Sequence, residues 1–235
     1  EEKVEGIEYE VEEKVKRLGL KLHVAQISNV SVKKKSEALE RLKKETENKI
    51  KTVDLKNNKI YLEAKRLYKN KAFDPPFAYL INLVKEKGKL PTINTAVDSY
   101  NAVAVKYLVS VGAHDVLKIK GKVRFEMTDG SEKYIPLGSN VPERVEAGEY
   151  ACMDDKEILC RLDVKQCETT KVTEKTKSIM VYVQGNKENS DEELKKSLKE
   201  ICDSIVRFCG GTYKIIGDKE PLLFPLNIKV ARILE

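Results

Sequence analysis

Helical and strand-like stretches follow one another along this 235-residue sequence in an order that predicts an α+β fold. Apolar residues recur at helical spacing over residues 36–51, whereas residues 178–184 are apolar on both faces, as in a central strand. No regular strand–helix–strand rhythm joins these stretches, so a parallel α/β sheet is disfavoured. The sequence therefore predicts mostly antiparallel strands combined with separate helices.

The N-terminal part, residues 14–90, is predicted to be rich in helices. Its predicted elements are a strand over residues 20–32 and helices over 36–51 and 60–68. A third helix is predicted to begin at Pro75-Pro76 and to stop before Gly88, because proline is favoured in the first turn of a helix and glycine just beyond the last.

Residues 91–185 form the predicted core, on which residues 186–235 are expected to pack, so that 1–235 is one domain. A helix beginning near Asn94 is predicted to end in a turn around Gly112, and alternation on both sides of Asp129-Gly130 predicts a hairpin over 122–137. The remaining predicted elements are the central strand 178–184, a helix over 191–208, and strands over 212–216 and 226–234.

Basic charge is concentrated in one part of the sequence. Residues 14–90 contain 21 Lys or Arg and 8 Asp or Glu, a net +13, whereas the whole chain has a net charge of +6. Residues 1–13 sum to −6 and the last 145 residues to −1. Such a field favours a polyanionic partner, although solvated lysine-rich helices have the same composition.

Composition argues against several classes of protein. No apolar run approaches the roughly 18 residues of a membrane span, and the chain opens on glutamate without the apolar segment of a secretory signal. We therefore expect a cytoplasmic protein with no membrane partner. Five cysteines without a Cys-x-x-Cys pair, and only two histidines, predict reduced thiols, no metal and no other cofactor.

Three polar side chains fall on one side of the helix predicted after Pro91. At helical spacing Asn94, Asp98 and Asn101 share an arc of roughly 60°. Burying an unpaired polar group costs about 1–3 kcal/mol. These side chains therefore either form a structural network or line a pocket, and the spacing is compatible with both.

Two further segments combine small and polar residues. Gly112 and Ala113 would let a ligand approach the backbone closely, and His114 could orient a water or a substrate hydroxyl. The polar run 165–173 precedes the predicted central strand, and its cysteine, carboxylate and hydroxyls would suit contact with an amino acid or a ribose. The plainer alternatives are a hydrogen-bonded turn and a solvated loop.

These segments, in this order, resemble one family, the editing domain of the phenylalanyl-tRNA synthetase beta subunit, and more closely its freestanding homologues. The resemblance is dense over residues 90–185. It rests on Pro91-x-Ile-Asn94-x-x-Val-Asp98-x-x-Asn101, Gly-Ala-His-Asp115, Lys118-Ile119-x-Gly121, Gly148-Glu149-Tyr150, Asp154-Asp155, Cys160-Arg161, Gln166 and Thr170-Lys171-Val-Thr173-x-x-Thr176-Lys177.

The resemblance implies a sandwich-like β core with flanking helices and no metal. In the synthetase this domain hydrolyses tyrosine wrongly esterified to the terminal adenosine of the tRNA. By position, Gly112 falls where the synthetase typically has histidine, His114 falls on a phenylalanine, and Glu168 corresponds to the glutamate of a Gly-Gly-Glu segment. Gln166-Cys167 replace the two glycines here, so specificity for tyrosine is not carried over.

The resemblance implies two alternative functions, and of these we prefer the first. The first is hydrolysis, in trans, of the ester of a mischarged tRNA; the second is tRNA or RNA binding with an idle pocket. A small-molecule enzyme is a third alternative, and a complete aminoacyl-tRNA ligase is not expected. The expected residues are His114 and Glu168 for catalysis, Asn94, Asn101, Gly112, Ala113, Gln166 and Thr170 for the substrate, and Lys33, Lys34, Lys35, Lys43 and Lys44 for tRNA.

Overall fold

The computed structural model describes residues 6–217, so the predicted strand 226–234 lies outside the described residues. The helices are α1 (Glu13–Arg17), α2 (Glu37–Ile50), α3 (Lys59–Leu67), α4 (Pro76–Lys87), α5 (Thr95–Tyr107) and α6 (Asp191–Cys209). The strands are β1 (Tyr9–Val11), β2 (Lys21–Ser28), β3 (Ser110–Asp115), β4 (Val123–Met127), β5 (Lys133–Tyr134), β6 (Glu143–Arg144), β7 (Tyr150–Met153), β8 (Ile158–Arg161), β9 (Lys165–Gln166), β10 (Ser178–Gly185) and β11 (Thr212–Ile216). This mixture confirms the predicted α+β class.

Two larger sheets form the centre of the domain. One has the strand order β1-β4-β7-β8-β9 and the other β11-β2-β10-β3. Their pairings are antiparallel, except that β1 runs parallel to β4. Strand β10 lies between β2 and β3, which confirms its predicted central place.

The four-stranded sheet is covered on both faces. On one face Val24, Met180 and Tyr182 share a core with Phe125 and Leu159 of the five-stranded sheet. On the other face, apolar residues of β2 and β10 pack against α5 and α6. The layers are therefore helices, sheet and sheet, as expected for a sandwich-like core with flanking helices. Because both faces are buried, the apolar side chains of β10 point in both directions.

Local sequence signals set several helix boundaries. The side chains of Ser36, Asn58 and Ser190 each accept a hydrogen bond from the backbone N–H three residues later, at the starts of α2, α3 and α6. Gly88 ends α4 in the left-handed conformation, at φ 83°. Within residues 6–217, none of the helices is both long enough and apolar enough to cross a bilayer.

The predicted hairpin over residues 122–137 is wrong. Strand β4 pairs with β7, and β5 pairs with β6, so β4 and β5 are not neighbours. The chain does turn at Gly130, where φ is +91°. The Glu132 carboxylate accepts hydrogen bonds from the backbone N–H groups of Asp129 and Gly130. A side chain therefore closes this turn, and strand pairing is not required for it.

The predicted turn around Gly112 is also wrong. Helix α5 ends earlier, at Leu108, which adopts the left-handed conformation with φ 53°. Gly112 lies inside β3, directly opposite Tyr182 of β10. The helix therefore leads straight into an edge strand of the four-stranded sheet, and Gly112, Ala113 and His114 are strand residues.

Candidate functional site

The three polar segments of the sequence meet at one end of the four-stranded sheet. The backbone N–H of Asp115, at the end of β3, donates to the Thr170 carbonyl at 2.8 Å. The Asn94 side chain donates to the Val172 carbonyl at 3.2 Å. The polar run 165–173 therefore bridges the end of β3 and the start of α5.

His114 faces the interior, between the two sheets. Its side chain is fully buried, and its ring stacks on Tyr182 with 5.9 Å between ring centroids. Nδ1 is hydrogen-bonded to the Thr170 hydroxyl at 2.8 Å, whereas Nε2 has no hydrogen-bond partner among the described residues. Burial lowers the pKa of His114 to about 3, so the ring is neutral at physiological pH. In this position it does not meet a solvent-borne substrate.

Thr170 holds the His114 ring in place. It is fully buried, and its hydroxyl contacts both His114 Nδ1 and Cys167 Sγ, the latter at 3.0 Å. Replacing Thr170 with valine is expected to lower the free energy of unfolding by about 1–3 kcal/mol, because both buried partners lose their hydrogen bond. Urea unfolding measures this change. Thr170→Ser, which keeps the hydroxyl, should lose clearly less stability; equal losses would contradict a role for the hydrogen bonds.

Gly112 and Ala113 serve packing. A Cβ at position 112 would overlap the Tyr182 ring and lie 2.5 Å from its Cε1 atom. The missing side chain of Gly112 is thus what admits the Tyr182 ring. Ala113 points to the opposite face and is buried among the residues that pack against α5 and α6. Both residues are buried.

Glu168 lies at the surface. Its carboxylate accepts a hydrogen bond from the Gly138 N–H at 2.7 Å and forms an ion pair with Lys171. Lys171 first, and then Gly138, lower the pKa of Glu168, so the carboxylate is charged at neutral pH. With 29% of the side chain exposed, Glu168 can reach an external ligand. His114 and Glu168 therefore face different surroundings, interior and solvent.

Of the three aligned polar residues at α5, Asn94 and Asp98 form hydrogen bonds that stabilise the start of the helix. Asn94 is the N-cap, and its side-chain oxygen accepts from the N–H groups of Ala96 and Val97. Asp98 is buried and accepts from the Ile93 N–H at 2.9 Å. Asn101 is half-buried further along the helix. The structure thus favours the network over the pocket for Asn94 and Asp98.

Gln166 lies in β9, half-buried; burial raises the pKa of the Tyr100 hydroxyl, and the nearby Gln166 side chain opposes that rise. Tyr100 is buried on α5. The polar run 165–173 therefore approaches α5 at a second place, beyond the contact made by Asn94.

Lys43 is the clearest correction among the predicted tRNA contacts. Only 1% of its side chain is exposed, and its ammonium pairs with Glu40 at 2.7 Å and with Asp98 at 3.4 Å. It also donates to the Pro91 carbonyl and the Thr92 hydroxyl. A buried and fully paired ammonium is unavailable to a phosphate. Lys33, Lys34, Lys35 and Lys44 are exposed, as a nucleic-acid surface requires.

The exposed lysines near the start of α5 form a basic surface, which we define as Lys33, Lys34, Lys35, Lys175 and Lys177. Hydrogen bonds between Lys33 and Thr95, in both directions at 2.8 and 2.9 Å, fix the first loop to α5. The Val30 N–H donates to the Lys177 carbonyl, which places the second loop beside the first. Within the described residues these five lysines form no ion pairs.

Lys175 and Lys177 are not among the expected tRNA contacts, because residues 91–235 taken by themselves are nearly neutral. Lys177 does end one of the motifs that carry the resemblance, and both lysines stand between the polar run 165–173 and the central strand. Only the pairing of loops distant in sequence brings them next to Lys33–Lys35.

The cysteines show no sign of activation. All five are free and buried, and burial raises the pKa of Cys167, so its thiol is protonated at neutral pH. Within residues 6–217, no group of three or more His, Cys, Asp or Glu side chains is arranged to hold a metal ion. The charged groups at this end of the domain are therefore Glu168 and the surrounding lysines.

A two-sheet α+β core with flanking helices and a lysine-lined end defines the class of domain. Residues 61–210 match the family model of the B3/4 domain, and the chain belongs to that family. Its fold is similar to that of an N-terminal fragment of the phenylalanyl-tRNA synthetase beta subunit from Pyrococcus horikoshii, with a TM-score of 0.55 and 14% sequence identity.

That alignment covers 89% of this chain and 50% of the synthetase fragment, so the chain spans about half of the fragment's length. At this identity the likeness shows the fold alone. No curated protein matches the chain. The predicted resemblance to the synthetase beta-subunit domain is thus confirmed.

Proposed function

We propose that this B3/4 domain binds tRNA and that the basic surface contacts its phosphate backbone. The observation that carries the proposal is the meeting of two lysine loops at the start of α5, where none of the five lysines forms an ion pair with a described residue. Clustered ammonium groups attract a phosphate chain and release its condensed counterions. The structural similarity to a subunit of a tRNA synthetase supports tRNA as the polyanion. Five free thiols favour a reducing compartment, and we propose the cytoplasm.

Replacing Lys33, Lys34 and Lys35 together with glutamine is expected to weaken tRNA binding by at least about tenfold at low salt, because three phosphate contacts are lost. Fluorescence anisotropy with labelled tRNA measures the change. The matched control replaces Lys51, Lys56 and Lys59, which are also exposed but lie beyond the far end of α2. Equal weakening by both triple variants would contradict a localised contact.

A second candidate function is hydrolysis, in trans, of the ester of a mischarged tRNA. The observation that favours it is Glu168, a charged and partly exposed carboxylate close to the basic surface in sequence. It could hold the α-ammonium group of an aminoacyl ester. Water would add to the ester carbonyl, the bond to the ribose oxygen would break, and free amino acid and a 3′ hydroxyl would leave.

This candidate assigns no direct role to His114. A neutral, buried ring cannot reach the attacking water, so we propose that it supports the loop through Thr170. The tRNA-binding proposal therefore ranks first, since it uses only exposed groups. Hydrolysis would require that Glu168 and backbone donors near Gly138 position the ester and stabilise its reacting carbonyl without help from His114.

For this candidate, Glu168→Gln is expected to lower kcat/KM for a hydrolysed mischarged tRNA by at least about tenfold, because the α-ammonium group loses its counter-charge. Binding of uncharged tRNA should stay unchanged. Glu174→Gln, an exposed neighbour in the next loop, is the control. Hydrolysis of no mischarged tRNA above the uncatalysed rate would remove this candidate and leave the binding proposal standing.

A further inference from the structure

A groove of about 300 Å³ lies between α2, α5 and α6, apart from the polar segments described above. Its size is at the lower end of the range of small-molecule sites. Ala102 and Val103 line it from α5, and Ile50 and Leu108 line it at the ends of α2 and α5. The short side chain of Ala102 leaves room that a larger residue would fill. The groove therefore offers an apolar surface that is open to solvent.

Helices α2 and α5 run in the same direction along this groove. Lys43 pairs with Asp98, and seven residues further along each helix, about two turns, Ile50 and Val105 share an apolar cluster. The buried ion pair between Lys43 and Asp98 fixes the position of α2 along α5. The face of α2 that carries Glu45 and Lys49 is thereby held over Ala102 and Val103.

The charges around the groove divide into a free set and a paired set. Glu45 and Lys49 lie one turn apart on α2, with a rise of about 6 Å between them, and within residues 6–217 neither forms an ion pair or a hydrogen bond. On the opposite side, Glu200 accepts from Lys106 at 2.7 Å and from the Tyr107 hydroxyl. Two acids and two bases cancel, so the groove has no net charge.

We propose that this groove binds a free α-amino acid with a branched or aromatic apolar side chain. The α-ammonium group would pair with Glu45 and the α-carboxylate with Lys49, while the side chain would lie against Ile50, Val103 and Leu108. A zwitterion satisfies both free charges at once. A fatty acid would leave Glu45 without a partner, and a simple amine would leave Lys49 without one. The proposal is independent of tRNA binding, which uses lysines at the other end of α2.

Isothermal titration of the whole protein with L-leucine and L-phenylalanine tests the proposal. We expect dissociation constants on the order of 1 mM or tighter. N-acetyl-leucine lacks the ammonium group and leucine amide lacks the carboxylate, and both should bind at least about tenfold more weakly. Glu45→Gln and Lys49→Gln should each weaken leucine binding by a similar factor. Glu37→Gln and Lys44→Gln, which do not line the groove, should leave it unchanged.

A variant that fills the groove tests the proposal independently of the charged residues. Ala102→Leu should abolish leucine binding, and a retained thermal unfolding transition shows that the variant is folded. Absence of binding to the parent protein at about 10 mM ligand would overturn the proposal. So would equal binding of leucine, N-acetyl-leucine and leucine amide, or equal weakening by the control variants. Because tRNA binding is measured separately, its presence or absence does not affect this result.

Discussion

Replacing Lys43 with methionine is expected to lower the free energy of unfolding by about 3–5 kcal/mol, the usual effect of removing one partner from a buried ion pair. Only 1% of the side chain of either Lys43 or Asp98 is exposed. The variant would leave the Asp98 carboxylate buried without its cation, and the Pro91 carbonyl and Thr92 hydroxyl without their donor. Urea unfolding at neutral pH measures the loss.

The pH dependence of that loss has a definite sign. Burial already raises the pKa of Asp98, and Lys43 opposes this shift, so removing Lys43 raises the pKa further. A carboxyl whose pKa is higher in the folded state regains stability as pH falls towards that pKa. The deficit of Lys43→Met relative to the parent protein should therefore shrink between about pH 7 and about pH 5.

Matched variants separate the ion pair from general effects. Lys44→Met changes the exposed neighbour of Lys43 and should alter stability by no more than about 0.5 kcal/mol. Adding Asp98→Asn to Lys43→Met should restore part of the loss, since the amide keeps an oxygen for the Ile93 N–H. A loss from Lys43→Met no larger than that from Lys44→Met would contradict the buried pair.

Gly112→Ala is expected to destabilise the protein by about 3 kcal/mol, at the upper end of the range for overpacking. The new methyl group would overlap the Tyr182 ring, which is buried, stacks on His114, and meets the edge of Phe125 at 5.0 Å between centroids. These contacts leave the ring no free space to move into. Thermal or urea unfolding measures the change.

A double variant tests whether Tyr182 is the cause. Tyr182→Ala alone should cost about 3–5 kcal/mol, through loss of a buried aromatic side chain. Combined with Gly112→Ala, the total loss should fall short of the sum by about 1–3 kcal/mol, because the methyl group then has room. Gly217→Ala, where a Cβ would meet nothing within 4 Å, is the control and should be nearly neutral. Strict additivity would contradict the proposed overlap.

Elements set by local sequence were predictable. Capping serines and asparagines, the glycine after α4 and the two-sided apolar pattern of β10 each depend on a few neighbouring residues. The two larger errors both involved pairing between distant segments. An Asp-Gly turn is a local signal, but the partner of β4 lies more than twenty residues away in β7. Gly112 was similarly assigned to a turn because nothing near it identifies Tyr182 of β10 as its neighbour.

The site residues divide in the same way. Asn94, His114 and Thr170 were grouped by the family resemblance of their segments, and the structure brings those segments together. Which of them faces solvent depends on sheet packing, which the order of the segments does not reveal. Lys43 did carry a signal, since it lies four residues after Leu39 and seven before Ile50, on the apolar face of α2. Its partner, Asp98, is one of the three polar residues that share one side of α5.

The central claim is that exposed lysines of this B3/4 domain bind the tRNA backbone, and the salt dependence of tRNA binding by the parent protein tests it most directly. Binding is measured by fluorescence anisotropy from about 50 to about 200 mM salt. The five lysines of the basic surface predict that log Kobs falls linearly with log salt, with a slope of roughly −3 to −5. The triple variant of Lys33, Lys34 and Lys35 should make that slope shallower by about 2–3. No detectable binding at the lowest salt, or a slope near zero, would contradict the claim.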